Sequence, residues 1–203
     1  DGEVYDPIQS FVKSMRWTGL LVEPLTDLFE RLKKTYQGFD GLQFANMAVT
    51  DPGQACEMIR VPPEMVDSGD APDWALGVAS FFDDRTAVVG IGAEKADYDL
   101  YSQKLVRQKV TCLTLRELLH QYGVTRIDYF QVDAEAYDAR ILAQLDLEKW
   151  SPSVIAIETV NLQAKELWDT YLRLRGHGYH IFSDGRDLLA TSSKLQEVLP
   201  MFL

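Results

Sequence analysis

The sequence of 203 residues is short of cysteine, histidine and basic side chains. Its two cysteines, Cys56 and Cys112, have no metal-binding or redox spacing, and one pair is too little for a disulfide framework, so they predict buried free thiols. Lys and Arg number 20 against 31 Asp and Glu, which gives a formal net charge of -11. Because such a chain repels phosphate backbones, we expect no nucleic-acid partner.

Long hydrophobic runs are also absent. No apolar stretch approaches the ~20 residues of a membrane-spanning helix, and the opening DGEVYDPIQS lacks the basic end and apolar stretch of a signal peptide. We therefore expect a soluble cytoplasmic protein with no membrane partner. Hydrophobic residues make up 46% of the chain and aromatic residues 11%, a composition that excludes a disordered chain and a coiled coil.

Helix-period segments alternate with short β-rich segments, which predicts an α/β fold with a mostly parallel sheet covered by helices. The predicted helices lie near 6–16, 25–37, 114–122, 136–145 and 164–175, and the predicted strands at 18–24, 42–49, 127–132, 154–158, 179–182 and 188–191. The last two strands predict an antiparallel hairpin at the sheet edge. We expect one domain over 1–203, with an irregular insertion at about 53–110 that contains a β-hairpin of 55–61 and 76–82.

Polar residues stand where several predicted strands end, and ligands of open α/β sheets bind beyond the carboxyl ends of the strands. These residues are Glu23, Asn46, Asp51, Asp133, Glu135 and Glu158. A carboxylate at such a strand end can accept hydrogen bonds from both hydroxyls of an adenosine ribose. Glu23 fits this role, and the alternative is a solvated acid at the end of a strand.

The segment DYFQVDAEAYD places four carboxylates, those of Asp128, Asp133, Glu135 and Asp138, within one predicted strand, turn and helix. Asp133 and Glu135 would repel each other in a dry cleft. Such crowding either raises a pKa, as an acid/base site requires, or is relieved by a bound cation. The alternative is that Glu135 caps the following helix.

Five segments, in this order and spacing, resemble the FkbM family of S-adenosylmethionine-dependent methyltransferases: TGLLVEP, LQFANMAVTDPG, TLRELLHQYGVTRIDYFQVDAEAYDARIL, PSVIAIET and HGYHIFSDGRDLLAT. The most specific matches are VEP at Val22–Pro24 and VDAEAYD at Val132–Asp138. The resemblance implies a Rossmann-like class I fold with a mostly parallel seven-stranded sheet. Ala136 replaces the glycine usual in this signature. The glycine-rich loop after the first strand would lie at or before Asp1 and Gly2, so we expect the first strand to be missing from this sequence.

The resemblance implies a cofactor, S-adenosylmethionine, and a role for each matching residue. Asp1 and Gly2 would line its methionine part, and Glu23 would hold the ribose. Asn46, Met47 and Ala48 would border the adenine, and Asp133 would close the site. Family members generally methylate hydroxyl oxygens of natural products or sugars, which implies a small-molecule or sugar acceptor here. For the base that takes the hydroxyl proton, we expect Asp133 or Glu135.

Three alternatives remain open at the level of sequence. We assign no metal site from the spacing, but Asp133, Glu158 and Asn161 offer oxygens that suit Mg²⁺ in a metal-assisted variant. A Rossmann oxidoreductase would use Glu23 to bind the ribose of NAD, although no GxGxxG precedes it. A binding module without turnover would use the insertion segment PPEMVDSGDAPDWALG as an interaction loop.

Overall fold

The computed structural model of the chain describes residues 8–82, 104–193 and 195. The helices are α1 (Gln9–Met15), α2 (Thr26–Thr35), α3 (Pro63–Asp67), α4 (Leu115–Gln121), α5 (Asp138–Gln144) and α6 (Ala164–Gly176), with a 3-10 helix at Asp73–Leu76. The strands are β1 (Gly19–Val22), β2 (Leu42–Ala45), β3 (Ala48–Val49), β4 (Glu57–Arg60), β5 (Ala79–Ser80), β6 (Val106–Lys109), β7 (Cys112–Leu113), β8 (Tyr129–Val132), β9 (Val154–Glu158), β10 (Tyr179–Ser183) and β11 (Asp187–Ser192).

These strands form four sheets. Strands β1 and β2 pair in parallel, as do β3 and β7. A larger sheet has the order β10-β11-β9-β8, in which β8 and β9 are parallel and β11 is antiparallel to both of its neighbours. Strand β4 lies between β5 and β6 in an antiparallel sheet. The α/β fold is confirmed, but a continuous seven-stranded sheet is not seen among the described residues, because their strands divide between these four sheets.

One aromatic contact and one buried cluster connect the parallel pairs β1–β2 and β8–β9. Trp17, just before β1, and Tyr129, the first residue of β8, have ring centroids 5.6 Å apart. At the other ends of these strands, Ala45, Val132 and Ile157 belong to one buried cluster. The amino ends of β1 and β8 are therefore close together, and residues near the carboxyl ends of β2, β8 and β9 contribute to one core.

Helices α4, α5 and α6 contribute buried apolar side chains to the same core cluster as the four-stranded sheet β10-β11-β9-β8. Leu118, Leu142, Ile155 and Leu174 are each 2% exposed or less and share one core cluster. Burying such a side chain contributes about 1.5–3 kcal/mol to folding. Helix α4 begins at a capping box in which Thr114 accepts from the N–H of Glu117 and the Glu117 carboxylate accepts from the N–H of Thr114.

Most predicted helices and strands are observed within one to three residues of their predicted limits, and β9 covers the predicted range of 154–158. The predicted strand at 42–49 is interrupted, because β2 ends at Ala45 and β3 turns away to pair with β7. The hairpin predicted in the insertion forms as the pair β4–β5. The pattern missed β6, and it treated as loop a segment that contains α3 and the 3-10 helix.

Cys56 and Cys112 form a disulfide with a Cα–Cα distance of 5.8 Å, so the prediction of two free thiols is wrong. The bond joins the segment before β4 to strand β7. The sequence could not show this pairing, because it depends on the parallel contact between β3 and β7 and on the β4–β6 pair. Within the described ranges, no helix has the length and apolar character required to cross a lipid bilayer.

Candidate functional site

Three carboxylates converge at the carboxyl ends of β8 and β9. Asp133 directly follows β8, Glu135 lies two residues further on, and Glu158 is the last residue of β9. One carboxylate oxygen from each side chain lies within 4.8 Å of the other two. The Asp133 side chain is exposed, whereas Glu135 and Glu158 are half-buried. We refer to these three residues as the acidic triad.

The loop that carries the acidic triad has an unusual backbone. Glu135 and Ala136 have φ angles of +47° and +78°, the left-handed region that favours glycine. Helix α5 consequently begins at Asp138 rather than at the predicted Ala136. Its N-cap is Tyr137, without a capping side chain, so the structure does not show Glu135 capping this helix. Non-glycine residues in this conformation cost free energy and tend to cluster at functional sites.

Hydrogen bonds from distant elements hold Glu135 in this position. The buried hydroxyl of Ser80 in β5 donates to the Glu135 carbonyl at 2.6 Å and accepts from the Phe82 N–H at 3.1 Å. The side-chain amide of Asn161 donates to Oε2 of Glu135 at 3.2 Å. Both the backbone and the carboxylate of Glu135 are therefore oriented from outside its own loop.

The electrostatic environment raises the pKa of several carboxyls here. Burial and then the Asp133 charge raise the pKa of Asp138 to about 8. Burial, followed by the charges of Asp133 and Asp187, raises the pKa of Glu158 to about 7, against an opposing effect of Arg186. Loss of hydration and then the Asp187 charge also raise the pKa of Asp133. At neutral pH the site is therefore crowded with carboxyl groups, and a part of them is protonated and carries no charge.

Two buried carboxylate oxygens, one of Asp138 and one of Glu158 in the acidic triad, have no hydrogen-bond donor among the described residues. Asp138 is 1% exposed, and its Oδ1 accepts from the Ala134 N–H at 3.0 Å. Its Oδ2 is buried and has no hydrogen-bond partner among the described residues. The same holds, within the described part of the chain, for the buried Oε2 of Glu158. A buried carboxylate oxygen without a hydrogen bond destabilises the fold. A hydrogen-bond donor from a further group could bind to either oxygen.

Glu23 and Asn46 follow β1 and β2, which pair in parallel, so both residues lie at the carboxyl end of this pair. Oε1 of Glu23 accepts a hydrogen bond from the Leu25 N–H at 2.8 Å. Burial raises the pKa of the Glu23 carboxyl. The Asn46 amide donates to the carbonyls of Glu23 and Pro24 at 2.9 and 3.1 Å, and its oxygen accepts from Thr26 at 3.3 Å. Asn46 thus ties the two strand ends together.

The other predicted site residues lie in varied positions. Met47 and Ala48 are buried, at 8% and 5% exposure, and contribute to the core. Asp128 lies at the opposite end of β8, ion-paired with Arg126 on the surface. Asp1 and Gly2 lie outside the described residues.

Asp51, the remaining strand-end acid, serves as an anchor. Its carboxylate accepts from the Tyr137 hydroxyl at 3.0 Å and from Gln144 at 3.3 Å, and its N–H donates to the same hydroxyl at 3.2 Å. The loop after β3 is thereby fixed to α5, immediately after the acidic triad loop.

Sequence reasoning missed Ser80 and Asp187. Asp187 lies opposite Glu158 in the antiparallel β9–β11 pair, which brings its charge to the acidic triad. The hairpin turn before β11 was visible in the sequence, but the register that aligns Asp187 with Glu158 was not. No local signal singled out Ser80, because its partner lies 55 residues away.

This arrangement can do two kinds of chemistry. The Glu23 carboxylate can accept hydrogen bonds from ligand hydroxyls beyond β1. The acidic triad can attract positive charge, take up a proton near neutral pH, or bind a metal ion through oxygen donors.

Comparison with known proteins gives one match. The family model of the Methyltransferase FkbM domain matches residues 1–181, a range that contains Glu23, Asn46 and the whole acidic triad. No match was found among curated proteins or among solved structures. Because the match covers most of its 203 residues, the chain belongs to the FkbM methyltransferase family.

Proposed function

We propose that this methyltransferase uses S-adenosylmethionine to methylate a hydroxyl oxygen of a small molecule or sugar. The observation that carries the proposal is that, in an FkbM-family chain, Glu23 and the acidic triad each follow the carboxyl end of a parallel strand. Parallel strands place both features at their carboxyl ends, where ligands of α/β proteins bind. The resemblance of the VEP and VDAEAYD segments to the family supports the same assignment.

The chemistry of the donor groups fits this cofactor. Glu23 stands beyond β1 with one oxygen oriented by the Leu25 N–H, and a carboxylate there suits the two hydroxyls of the ribose. The acidic triad suits the positive charges of the sulfonium and the ammonium. When bound, S-adenosylmethionine supplies an electrophilic methyl group.

The residues of the chain would then orient the acceptor and remove its proton. Asp133 and Glu135 are the candidate bases. The raised pKa of Asp133 makes its carboxylate a stronger base than an ordinary aspartate, and its exposed side chain is accessible to a substrate. Glu135 is held by Asn161 and Ser80, which suits a group that must keep a fixed position.

Calorimetric titration of the full native chain with S-adenosylhomocysteine tests the cofactor assignment. We expect micromolar binding by the wild type and binding weakened by about tenfold or more in Glu23→Gln, which keeps an acceptor for the Leu25 N–H but loses the charge. Glu30→Gln is the matched control, because Glu30 is an exposed glutamate of α2 that pairs with Lys33. Absence of binding by the folded wild type would overturn the proposal.

Product analysis tests the reaction itself. Incubation with labelled S-adenosylmethionine and a panel of hydroxylated small molecules and sugars should yield a methylated product and S-adenosylhomocysteine. Glu135→Gln should lower turnover much more than cofactor affinity. Cofactor binding without product for any acceptor would favour a binding module over an enzyme.

A further inference from the structure

The disulfide between Cys56 and Cys112 carries a second inference, about control of the site. We propose that this bond is a redox-sensitive support of the acidic triad loop, residues 133–137, so that reduction by a dithiol loosens the loop and reoxidation restores it. The coupling between the disulfide and the loop does not depend on the proposed function. Its consequence, a fall in turnover on reduction, rests on that function.

Cys56 supports the loop through the strands of the insertion. It directly precedes β4, which pairs with β5 so that Ile59 lies opposite Ser80. The buried hydroxyl of Ser80 donates to the Glu135 carbonyl at 2.6 Å. The path from Cys56 to the acidic triad loop therefore runs through one strand pair and one buried hydroxyl.

Cys112 supports the same loop through a second path. It lies opposite Ala48 in the parallel β3–β7 pair. Two residues after β3, the Asp51 carboxylate accepts from the Tyr137 hydroxyl at 3.0 Å, and the Asp51 N–H donates to this hydroxyl at 3.2 Å. The disulfide therefore joins two supports, which hold the loop at Glu135 and at Tyr137.

The conformation of the loop makes it sensitive to these supports. Glu135 and Ala136 have positive φ angles, which cost free energy and persist only where the surrounding structure imposes them. A movement of one support relative to the other would let these two residues relax. Glu135 would then lose its fixed position beside Asp133 and Glu158.

Other contacts between the two supports allow the bond to be reduced without unfolding. The Val110 N–H donates to the Cys56 carbonyl at 3.0 Å, next to the β4–β6 pair. Met58 of β4 and Ala48 of β3 share a buried apolar cluster, against which Cys112 packs. These contacts keep the supports together when the sulfur–sulfur bond is broken, but they fix the distance between them less firmly than a covalent bond does.

The chemical step is thiol–disulfide exchange. Both cysteines are half-buried, so a small dithiol can reach them. One thiolate of the dithiol attacks a cysteine sulfur and breaks the S–S bond, and its second thiolate then releases the protein from the mixed disulfide. The dithiol leaves as a cyclic disulfide, and its two electrons and two protons convert Cys56 and Cys112 to thiols.

The test compares hydrogen exchange of the full native chain before and after reduction. The chain is oxidised with glutathione disulfide, and a portion is then reduced with dithiothreitol. Thiol titration should count no free thiol and then two, because the chain has two cysteines. The Ala134 and Tyr137 amides are hydrogen-bonded within this segment and report on it. We expect peptides covering 134–137 to exchange about tenfold faster or more after reduction, and α6 to change less.

Two variants are the controls. Cys56→Ser/Cys112→Ser should exchange in these peptides like the reduced wild type, with and without dithiothreitol. Tyr179→Phe keeps the disulfide and removes a buried hydrogen bond to the Pro152 carbonyl. It should lose stability without faster exchange in the loop, so it separates general destabilisation from a local effect.

Three results would overturn the proposal: two free thiols in the oxidised chain, equal loop exchange in the oxidised and reduced chains, or an equal rise in the loop and in α6. The last would show a general loss of stability. Titration of the oxidised chain with S-adenosylhomocysteine separates the two proposals. Unchanged loop exchange in a chain that binds S-adenosylhomocysteine would overturn the redox control and leave the proposed function standing.

Discussion

The hydroxyl of Ser80 donates a 2.6 Å hydrogen bond to the carbonyl oxygen of Glu135, 55 residues later in the chain. Ser80 is fully buried, and its hydroxyl also accepts from the Phe82 N–H. The end of β5 thereby holds the one loop whose backbone is left-handed at two successive non-glycine residues among those described. Removal of this hydroxyl should therefore disturb the acidic triad without touching it.

Ser80→Ala should lower the free energy of unfolding by about 1–3 kcal/mol, because two part-buried backbone groups each lose this hydrogen bond. Turnover should fall more than cofactor affinity, since Glu135 loses its orientation. Urea unfolding and steady-state kinetics measure the two effects. Ser68→Ala removes a hydroxyl that bonds to Met65 and Asp70 near the surface, and its effect should stay below about 0.5 kcal/mol. Equal effects of both substitutions would contradict this prediction.

Ala136→Gly should stabilise the protein. Ala136 has a φ of +78°, where a Cβ is disfavoured and glycine is not. We expect a gain of roughly 0.5–1 kcal/mol, because the relief of strain in the folded state outweighs the greater freedom of the unfolded chain. Thermal or urea unfolding measures it.

Ala139→Gly is the matched control for Ala136→Gly. Ala139 lies three residues further along, inside α5, where glycine costs about 1 kcal/mol relative to alanine. The two substitutions should therefore have opposite signs. A loss of stability in both would show that the left-handed conformation at Ala136 is not the controlling factor.

Tyr137→Phe should loosen the loop after β3. The substitution removes the hydrogen bond to the Asp51 carboxylate and the one from the Asp51 N–H, at a cost of about 1–3 kcal/mol. Tyr179→Phe removes a comparable buried bond, at 2.8 Å to the Pro152 carbonyl, near the amino end of β9 and thus at the opposite end of the strand from Glu158. Both should destabilise, but only Tyr137→Phe should change turnover. Unchanged kinetics in Tyr137→Phe would confine Asp51 to a role in stability.

The stability of the metal-free protein should fall as pH rises from about 5 to 8. Asp138 has a folded-state pKa of about 8 against an ordinary value of 3.8, so the folded state retains a proton that the unfolded chain releases. Stability falls with pH wherever the folded state binds more protons, by up to about 1.4 kcal/mol per pH unit for one retained proton. The raised pKa of Glu158, about 7, acts in the same direction.

Asp138→Asn keeps an acceptor for the Ala134 N–H and removes the ionisable group. The variant should gain stability relative to the wild type as pH rises, and the difference should level off above about pH 8. Urea unfolding in the presence of a chelator, at intervals of one pH unit, measures it. A difference that is constant across this range would contradict the raised pKa of Asp138.

Local interactions determine where several helices and strands of this protein begin and end, and these interactions can be recognised in the sequence. The capping box of Thr114 and Glu117 defines the start of α4 within four residues. Strand β9 is an apolar run with a clear end, so its limits and the position of Glu158 could be predicted. Asp133 and Glu135 are two residues apart, which is enough to predict that they share one site. The family motifs also lie in these continuous segments.

The tertiary structure alone decided how the site is completed. Asp187 reaches Glu158 through the register of β9 and β11, and Ser80 reaches Glu135 through the position of β5. The Asn46 side chain donates hydrogen bonds to the carbonyls of Glu23 and Pro24, just after β1. The position of Asn46 in the sequence did not reveal these bonds. These contacts join segments tens of residues apart, and their geometry depends on how sheets and helices pack together. The sequence therefore determined which chemical groups are present, whereas packing decided which of them meet, because only the folded chain sets the distances between remote residues.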